Sequence, residues 1–147
     1  MDYETVCAQL EALTADVPYE IANLANGAAL LWQFLPDINW AGFYLMKDGA
    51  LVLGPFQGKP ACIRIPLGRG VCGTAAAQRK TLLVPDVHQF PGHIACDSAS
   101  RSEIVVPIYK DGGVYGVLDI DSPYENRFTQ ADRMGLERFV KILENTL

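Results

Sequence analysis

The 147-residue sequence has no long hydrophobic run and no cluster of basic residues. No apolar segment approaches the roughly 20 residues that a membrane-spanning helix needs. Residues 1–4 are acidic in character, whereas a secretory signal peptide opens with basic residues. The net charge is −5, and Arg79-Lys80 is the most basic stretch. We therefore expect a cytoplasmic protein that binds neither nucleic acid nor membranes.

Linkers, internal repeats and low-complexity segments are also missing, so we expect residues 1–147 to form a single domain. A chain of this length buries enough apolar surface to fold without disulfides or metals, and half of its residues are hydrophobic. In the reducing cytoplasm the four cysteines are then available for catalysis, redox sensing, metal binding or plain burial.

Hydrophobic periodicity predicts a mixture of helices and antiparallel strands. Helical spacing over residues 2–35, interrupted at Val17-Pro18, predicts two helices. Alternation with a period of two over residues 40–46, an Asp48-Gly49 turn and a return strand at 51–56 predict a hairpin. The remaining predicted elements are strands at 61–65, 81–84, 103–109 and 114–121, a short helix at 70–79, and a C-terminal amphipathic helix that starts at a capping box at Thr129 and includes Met134.

The last two predicted strands carry acidic side chains on one face. In each strand the apolar residues share one side, which leaves Glu103 on the other side of the first strand, and Asp119 and Asp121 on the other side of the second. Combined with Trp40 and Tyr44, these groups predict a cavity with an aromatic wall and acidic groups, suited to a small amine-bearing ligand. The alternative is that Asp119 and Asp121 only end a strand as turn-forming residues.

The four cysteines have different sequence surroundings. Cys7 lies among apolar positions of the first helix and is expected to be a buried, inert thiol. Cys62 lies on the less apolar side of its predicted strand. Cys72 falls in the first turn of a short helix, whose dipole favours a thiolate. Cys96 lies in the long loop at 85–101, where it is free to approach another thiol. Position alone ranks Cys72 and Cys96 equally as the nucleophile.

A glycine-rich segment at 68–73 matches the G-x-G-x-x-G pattern of dinucleotide-binding folds. The helix that follows it is too short for a normal crossover, and the hairpins around it are antiparallel. We therefore interpret these glycines as a tight turn between a strand and a helix.

Five residues have the chemistry of metal ligands: Cys62, Cys72, His88, His93 and Cys96. Their spacings match no usual zinc pattern. No metal site is expected from the sequence.

Taken together, these motifs resemble the free methionine-(R)-sulfoxide reductases, small enzymes built on a GAF domain. The resemblance runs nearly end to end. Its most specific segments are NWAGFY at 39–44, GPFQG at 54–58, AC at 61–62, GRGVCG at 68–73, HIAC at 93–96, SEIVVP at 102–107 and LDIDS at 118–122. It implies an α+β fold, with a mainly antiparallel six-stranded sheet that has helices on one face and the ligand pocket on the other.

The resemblance also implies an activity, the thiol-dependent reduction of free L-methionine (R)-S-oxide to methionine. The position of Cys96 corresponds to the nucleophile, which becomes a sulfenic acid. The position of Cys62 corresponds to the cysteine that resolves it as a Cys62–Cys96 disulfide, and Cys72 to a third cysteine with an accessory or alternative resolving role. No bound cofactor is implied, and thioredoxin is the expected external reductant.

The acidic and aromatic residues receive roles in the same scheme. Glu103 with Asp119 is expected to protonate the sulfoxide oxygen, while Asp121 binds the substrate ammonium group and Trp40 and Tyr44 enclose the methyl group. Two alternatives stay open: a non-catalytic GAF sensor of a small ligand or cyclic nucleotide, and a redox switch without turnover. The sequence leaves the oligomeric state open, a homodimer included.

Overall fold

The computed structural model describes residues 2–93 and 98–147. The helices are α1 (Tyr3–Thr14), α2 (Glu20–Phe34), α3 (Gly70–Gln78) and α4 (Gln130–Glu144), with a 3-10 turn at Val87–Gln89. The strands are β1 (Trp40–Lys47), β2 (Ala50–Gly58), β3 (Arg64–Pro66), β4 (Leu82–Val84), β5 (Ser102–Lys110) and β6 (Gly113–Ser122). Within this described part, none of the helices has the length and apolarity that crossing a bilayer requires.

Six strands form one sheet in the order β3-β2-β1-β6-β5-β4, and every neighbouring pair is antiparallel. The two long central strands, β1 and β6, pair with each other although they lie far apart in the sequence. The α+β fold and the six-stranded antiparallel sheet expected from the sequence are confirmed.

Two tight turns determine the register of the long strands. At the β1–β2 turn, Asp48 has φ of 52° and Gly49 has φ of 81°, and at the β5–β6 turn, Asp111 has φ of 53° and Gly112 has φ of 79°. Two consecutive residues with positive φ are typical of the primed turns that match the twist of antiparallel strands. Both predicted hairpins are therefore confirmed.

Helices α1, α2 and α4 pack on one face of the sheet. Alternate strand residues such as Phe43 and Ile104 point to this side and form one buried core with Leu24 and Phe139. Alternation of side chains along the strands assigns the intervening residues to the opposite face. That second face is covered by α3, which packs there through Val71 and its neighbours. The candidate site lies on this α3 side.

The start of α4 follows its predicted capping box. The Thr129 hydroxyl accepts a hydrogen bond from the backbone N–H of Asp132, and the Asp132 carboxylate accepts one from the backbone N–H of Thr129. Met134, however, is 71% exposed. It precedes the buried Leu136 by two residues, which is more than half a helical turn, so it faces solvent and its assignment to the apolar face was wrong.

The third strand begins later than the sequence predicts. It comprises only Arg64–Pro66, whereas the prediction began at residue 61. Ile63 is 74% exposed, so the apolar alternation that suggested a strand does not correspond to burial on one face. Cys62 consequently lies in the connection between β2 and β3, outside any strand.

Candidate active site

A cavity of about 40 Å³ lies between the sheet and α3. Six of the residues singled out from the sequence line it: Trp40, Tyr44, Cys72, Glu103, Asp119 and Asp121. The predicted convergence of aromatic and acidic residues is therefore present in the structure. Because β6 continues to Ser122, Asp119 and Asp121 lie within a strand, and the turn-forming alternative is wrong.

The strand register explains this convergence. Asp121 of β6 lies opposite Trp40 of β1 on one side and opposite Glu103 of β5 on the other. Residues directly opposite each other in antiparallel strands share a face, so these three side chains form a row across three strands. Asp119 is two residues from Asp121 and therefore lies on the same face. Its β1 neighbour is Gly42, which has no side chain to occupy the space beside it.

Aromatic rings form one wall of the cavity. The rings of Trp40 and Phe56 stack with centroids 5.1 Å apart, and those of Trp40 and Tyr44 stack at 5.8 Å. Gly42 makes this stacking possible, because a Cβ atom there would collide with both Phe56 and Trp40. The wall is thus an ordered feature that depends on one glycine.

The same rings attach the β2–β3 connection to the sheet. The indole N–H of Trp40 donates to the carbonyl oxygen of Lys59 at 3.0 Å, and the Tyr44 hydroxyl donates to the carbonyl oxygen of Cys62 at 2.9 Å. Both rings are buried, and the indole N–H and the phenol hydroxyl each have the hydrogen-bond partner that a buried polar group requires. The backbone of Cys62, which follows the cavity-lining Ala61, is thereby held against the sheet.

The glycine-rich segment forms a strand-to-helix turn, as interpreted from the sequence. Gly68 and Gly70 have φ of 81° and 64°, values that side chains other than glycine rarely adopt. A Cβ atom on Gly73 would lie 2.5 Å from the carbonyl oxygen of Pro66, so only glycine allows the first turn of α3 to approach β3 this closely. This packing places Cys72 against the sheet.

Cys72 meets the two acids of the central strands. Its Sγ atom lies 4.0 Å from Oε2 of Glu103, and ligand atoms of Cys72, Glu103 and Asp119 all lie within 4.8 Å of one another. The three residues are 4%, 6% and 6% exposed. We refer to these three residues as the thiol–acid cluster.

Burial dominates the electrostatics of the cluster. It raises the pKa of Glu103 well above its usual value, with the neighbouring Asp119 adding to the rise. It also raises the pKa of Asp119, although the contacts that Asp119 makes with Glu103 and Cys72 oppose the rise. Glu103 is therefore the acid that keeps its proton to the higher pH.

Burial also dominates the pKa of the Cys72 thiol. Burial raises its pKa well above the usual value, and the neighbouring Asp119 and Glu103 raise it further. The expectation that the α3 dipole favours a Cys72 thiolate is wrong, because desolvation and two adjacent acids outweigh the dipole.

His93 is a residue of the cavity to which sequence reasoning gave no role in the site, treating it as a poor zinc candidate and as a neighbour of Cys96. It lines the cavity, and its Nε2 atom lies 4.0 Å from Oε1 of Glu103. Burial lowers its pKa, and His88 lowers it further. Its position in the HIAC segment, three residues before Cys96, was the signal in the sequence that could have identified it.

The other cysteines differ from Cys72 in state and place. Cys7, on α1, is a free thiol buried in the core on the α1 and α4 side of the sheet, as predicted. Burial raises its pKa. Cys62 is disulfide-bonded. Cys96, to which the sequence resemblance gives the nucleophilic role, lies outside the described residues.

Comparison with known proteins identifies the relatives of this chain. The model of the GAF domain matches residues 9–147. The chain is 60% identical over 148 residues to Protein YtsP of Bacillus subtilis (strain 168), covering 99% of this chain and 91% of that protein. It is 54% identical over 145 residues to the free methionine-R-sulfoxide reductase of Escherichia coli (strain K12), covering 99% of this chain and 88% of that protein.

A solved structure shows the same likeness in three dimensions. It is the X-ray structure of free methionine-R-sulfoxide reductase from Neisseria meningitidis in complex with its substrate, which is 49% identical in sequence. The TM-score is 0.95, and the match covers 98% of this chain and 87% of that chain.

Proposed function

The chain belongs to the GAF-domain family of the free methionine-R-sulfoxide reductases, and we propose that it reduces free methionine (R)-sulfoxide to methionine with its own cysteine thiols. The observation that carries the proposal is a single cavity in which a thiol and three acids face an aromatic wall, beside a disulfide-bonded Cys62. Each group has a use in this reaction.

The substrate is a free amino acid with an ammonium group and a methyl sulfoxide. Asp121 is the acid next to the aromatic wall, because it lies opposite Trp40 in the register. We assign Asp121 to the ammonium group, and Trp40 and Tyr44 to the methyl group. An ammonium group needs a charged partner when it leaves water, whereas a methyl group gains from contact with the rings. A peptide-bound methionine sulfoxide has no free amine and loses the charged contact with Asp121, which disfavours its binding.

The sulfoxide sulfur becomes electrophilic when its oxygen accepts a proton. Glu103 and Asp119 are two buried acids that share the cavity, and the raised pKa of Glu103 favours its protonated form. We assign Glu103, assisted by Asp119, as the proton donor to the sulfoxide oxygen. General acids of this kind contribute about 10²- to 10⁴-fold to a rate.

The thiols supply two electrons in two steps. The Cys96 thiolate attacks the sulfoxide sulfur, the oxygen is transferred to Cys96 as a sulfenic acid, and methionine leaves. The Cys62 thiol then attacks the sulfenic acid, which gives a Cys62–Cys96 disulfide and one water. The disulfide at Cys62 supports its assignment as the resolving cysteine, and Cys72 is a free thiol. Cys72 has an accessory role in this scheme, since its raised pKa disfavours a thiolate.

A second dithiol must reopen the disulfide in each cycle. Thioredoxin is the proposed reductant, because thiol–disulfide exchange restores both cysteines without a bound cofactor. Such recycling requires a reducing compartment, and the cytoplasm is the proposed location.

The cavity volume supports a difference in substrate binding between the disulfide-bonded and the reduced protein. About 40 Å³ in the disulfide-bonded form holds little more than water-sized occupants. Methionine sulfoxide is far larger, so it is proposed to bind the reduced form, in which the Cys62 disulfide is open.

A coupled assay tests the proposal. Thioredoxin, its reductase and NADPH are supplied, and NADPH oxidation is followed with free (R)-sulfoxide, free (S)-sulfoxide and a peptide-bound sulfoxide. Turnover of the free (R) form alone is expected. Equal turnover of all three substrates contradicts the assignment. A protein that forms its disulfide readily but consumes no sulfoxide is a redox switch or sensor instead.

Variants locate the individual steps. Cys96→Ser is expected to abolish methionine release. Cys62→Ser is expected to release about one equivalent of methionine per protein and then stop at the sulfenic acid. If Cys72→Ser alone abolishes the first step, Cys72 is the nucleophile and the assignment of Cys96 is wrong.

A further inference from the structure

The thiol–acid cluster has the composition of a metal site. Cys72, Glu103 and Asp119 each offer one ligand atom, and these atoms lie within 4.8 Å of one another. We propose that the cluster binds a thiophilic divalent cation of the Zn²⁺ type when Cys62 is disulfide-bonded. Part of this inference rests on the proposed function, because that function uses Glu103 in the same cavity.

The cluster must contract to hold a small tetrahedral ion. With about 2.3 Å to sulfur and about 2.0 Å to oxygen, neighbouring ligand atoms around Zn²⁺ lie about 3.5 Å apart. The Sγ atom of Cys72 and Oε2 of Glu103 are 4.0 Å apart. Zn²⁺ would therefore draw this pair about half an ångström together, and the rest of the cluster, whose ligand atoms lie within 4.8 Å of one another, would contract around the ion as well.

An orphaned oxygen points to the same occupant. Oδ1 of Asp119 is buried and has no hydrogen-bond partner among the described residues. The described ion pairs of lysine and arginine involve neither Glu103 nor Asp119. Buried polar oxygens are normally hydrogen-bonded or bound to metals, so this oxygen has a lone pair to offer to a cation.

The cavity supplies the room for an ion and for a water molecule as its fourth ligand. His93 lines the same cavity, with Nε2 at 4.0 Å from Oε1 of Glu103, but it is not one of the three residues whose ligand atoms converge. The volume of about 40 Å³ accommodates an ion with a water molecule. One sulfur and two oxygens, completed by water, form a donor set that suits Zn²⁺ better than Mg²⁺ or Ca²⁺, which prefer oxygen ligands alone.

The charge balance favours binding in spite of burial. Metal binding displaces protons from the ligands, and a dication then neutralises the thiolate and the two carboxylates that a dry cavity otherwise keeps protonated. Such an ion would bind Glu103, the acid that the proposed function assigns to protonation of the sulfoxide oxygen. The disulfide-bonded protein would then release the metal before it could act again.

The disulfide-bonded protein isolates the site for a test, because Cys7 and Cys72 are its described free thiols. Protein whose Cys62 disulfide is verified by mass spectrometry is titrated with Zn²⁺ against a chromophoric chelator, and separately with Co²⁺. We expect one equivalent to bind, with a thiolate-to-cobalt charge-transfer band in the near ultraviolet. Absence of binding, or cobalt binding without that band, overturns the proposal.

Matched variants attribute the band to one thiol. Cys72→Ser is expected to lose it and to bind zinc at least about tenfold more weakly, whereas Cys7→Ala is expected to retain both properties. Unchanged binding by a folded Cys72→Ser, or loss in Cys7→Ala, contradicts the site. Should Cys72→Ser not fold by circular dichroism, Glu103→Gln replaces it with the same expected tenfold loss of affinity. The readout involves no sulfoxide, so it distinguishes failure of this inference from failure of the proposed function.

Discussion

Asp121 lies directly opposite Trp40 in the register between β6 and β1. The pairing places a carboxylate beside the aromatic wall of the cavity, two residues from the buried Asp119. A ligand that binds there meets a charge and a ring at fixed relative positions, because both project from hydrogen-bonded strands.

Replacing Asp121 by asparagine is expected to raise the KM for free methionine sulfoxide by about 10- to 100-fold, since a hydrogen bond to a charged group contributes about 1.5–3 kcal/mol. Steady-state kinetics with the thioredoxin-coupled assay measure this effect. Asp111→Asn, in the exposed β5–β6 turn, is the matched control and should leave the KM unchanged. A KM that does not move in Asp121→Asn removes the ammonium role from this residue.

Replacing Glu103 by glutamine is expected to slow methionine release by about 10²-fold or more, because the amide fills the same space but has no acidic proton to give. Single-turnover experiments with reduced protein isolate this step from recycling. Glu11→Gln, on the exposed side of α1, should retain the full rate. Equal rates in both variants would assign the proton donor elsewhere.

Replacing Gly42 by alanine is expected to destabilise the protein by about 1–3 kcal/mol, because the added methyl group collides with Phe56 and Trp40. Denaturant unfolding, monitored by tryptophan fluorescence and circular dichroism, measures the free energy of unfolding. Gly113→Ala is a suitable comparison, since its Cβ atom would lie 3.8 Å from its nearest neighbour. Equal stability of the two variants would mean that the aromatic stack does not depend on Gly42.

Methionine, the proposed product, is expected to bind the reduced protein and not the disulfide-bonded one, whose cavity measures about 40 Å³. Isothermal titration calorimetry of the two redox forms compares their affinities. Cys62→Ser, which cannot form the Cys62 disulfide, should bind methionine under oxidising conditions as well. Binding of equal strength to both wild-type forms contradicts the redox dependence.

Cys7 is expected to resist alkylation in the folded protein, since it is fully buried and burial raises its pKa. Iodoacetamide labelling followed by peptide mass spectrometry measures its modification before and after unfolding in urea. Rapid labelling of Cys7 without denaturant would show that the α1 side of the core opens readily.

The features that the sequence predicted correctly depend on local signals. Asp48-Gly49 predicts a primed hairpin turn because both residues tolerate positive φ, and Thr129 with Asp132 predicts a helix start because the two side chains cap each other. Alternation also assigned Glu103 and Asp119 to the correct face without knowledge of the strand order.

Features that depend on contacts distant in the sequence were missed. The pKa of Cys72 could not be derived from its helix position, because Glu103 and Asp119 reach it from strands more than thirty residues away. Because of the same separation in sequence, a search for zinc-binding spacings could not find the thiol–acid cluster. The late start of β3 was missed because an apolar residue, Ile63, imitates strand alternation while it faces solvent.

The hydrogen bonds from Trp40 and Tyr44 to the β2–β3 connection couple substrate preference to reduction potential, two properties that are usually adjusted separately. The rings that would select the substrate also hold the backbone next to the cysteine that would be oxidised in every cycle. A change that widens the aromatic wall therefore loosens the anchor of Cys62 as well. Substrate preference and reduction potential should consequently drift together during evolution, and an engineered variant with a new substrate will need its redox partner optimised again.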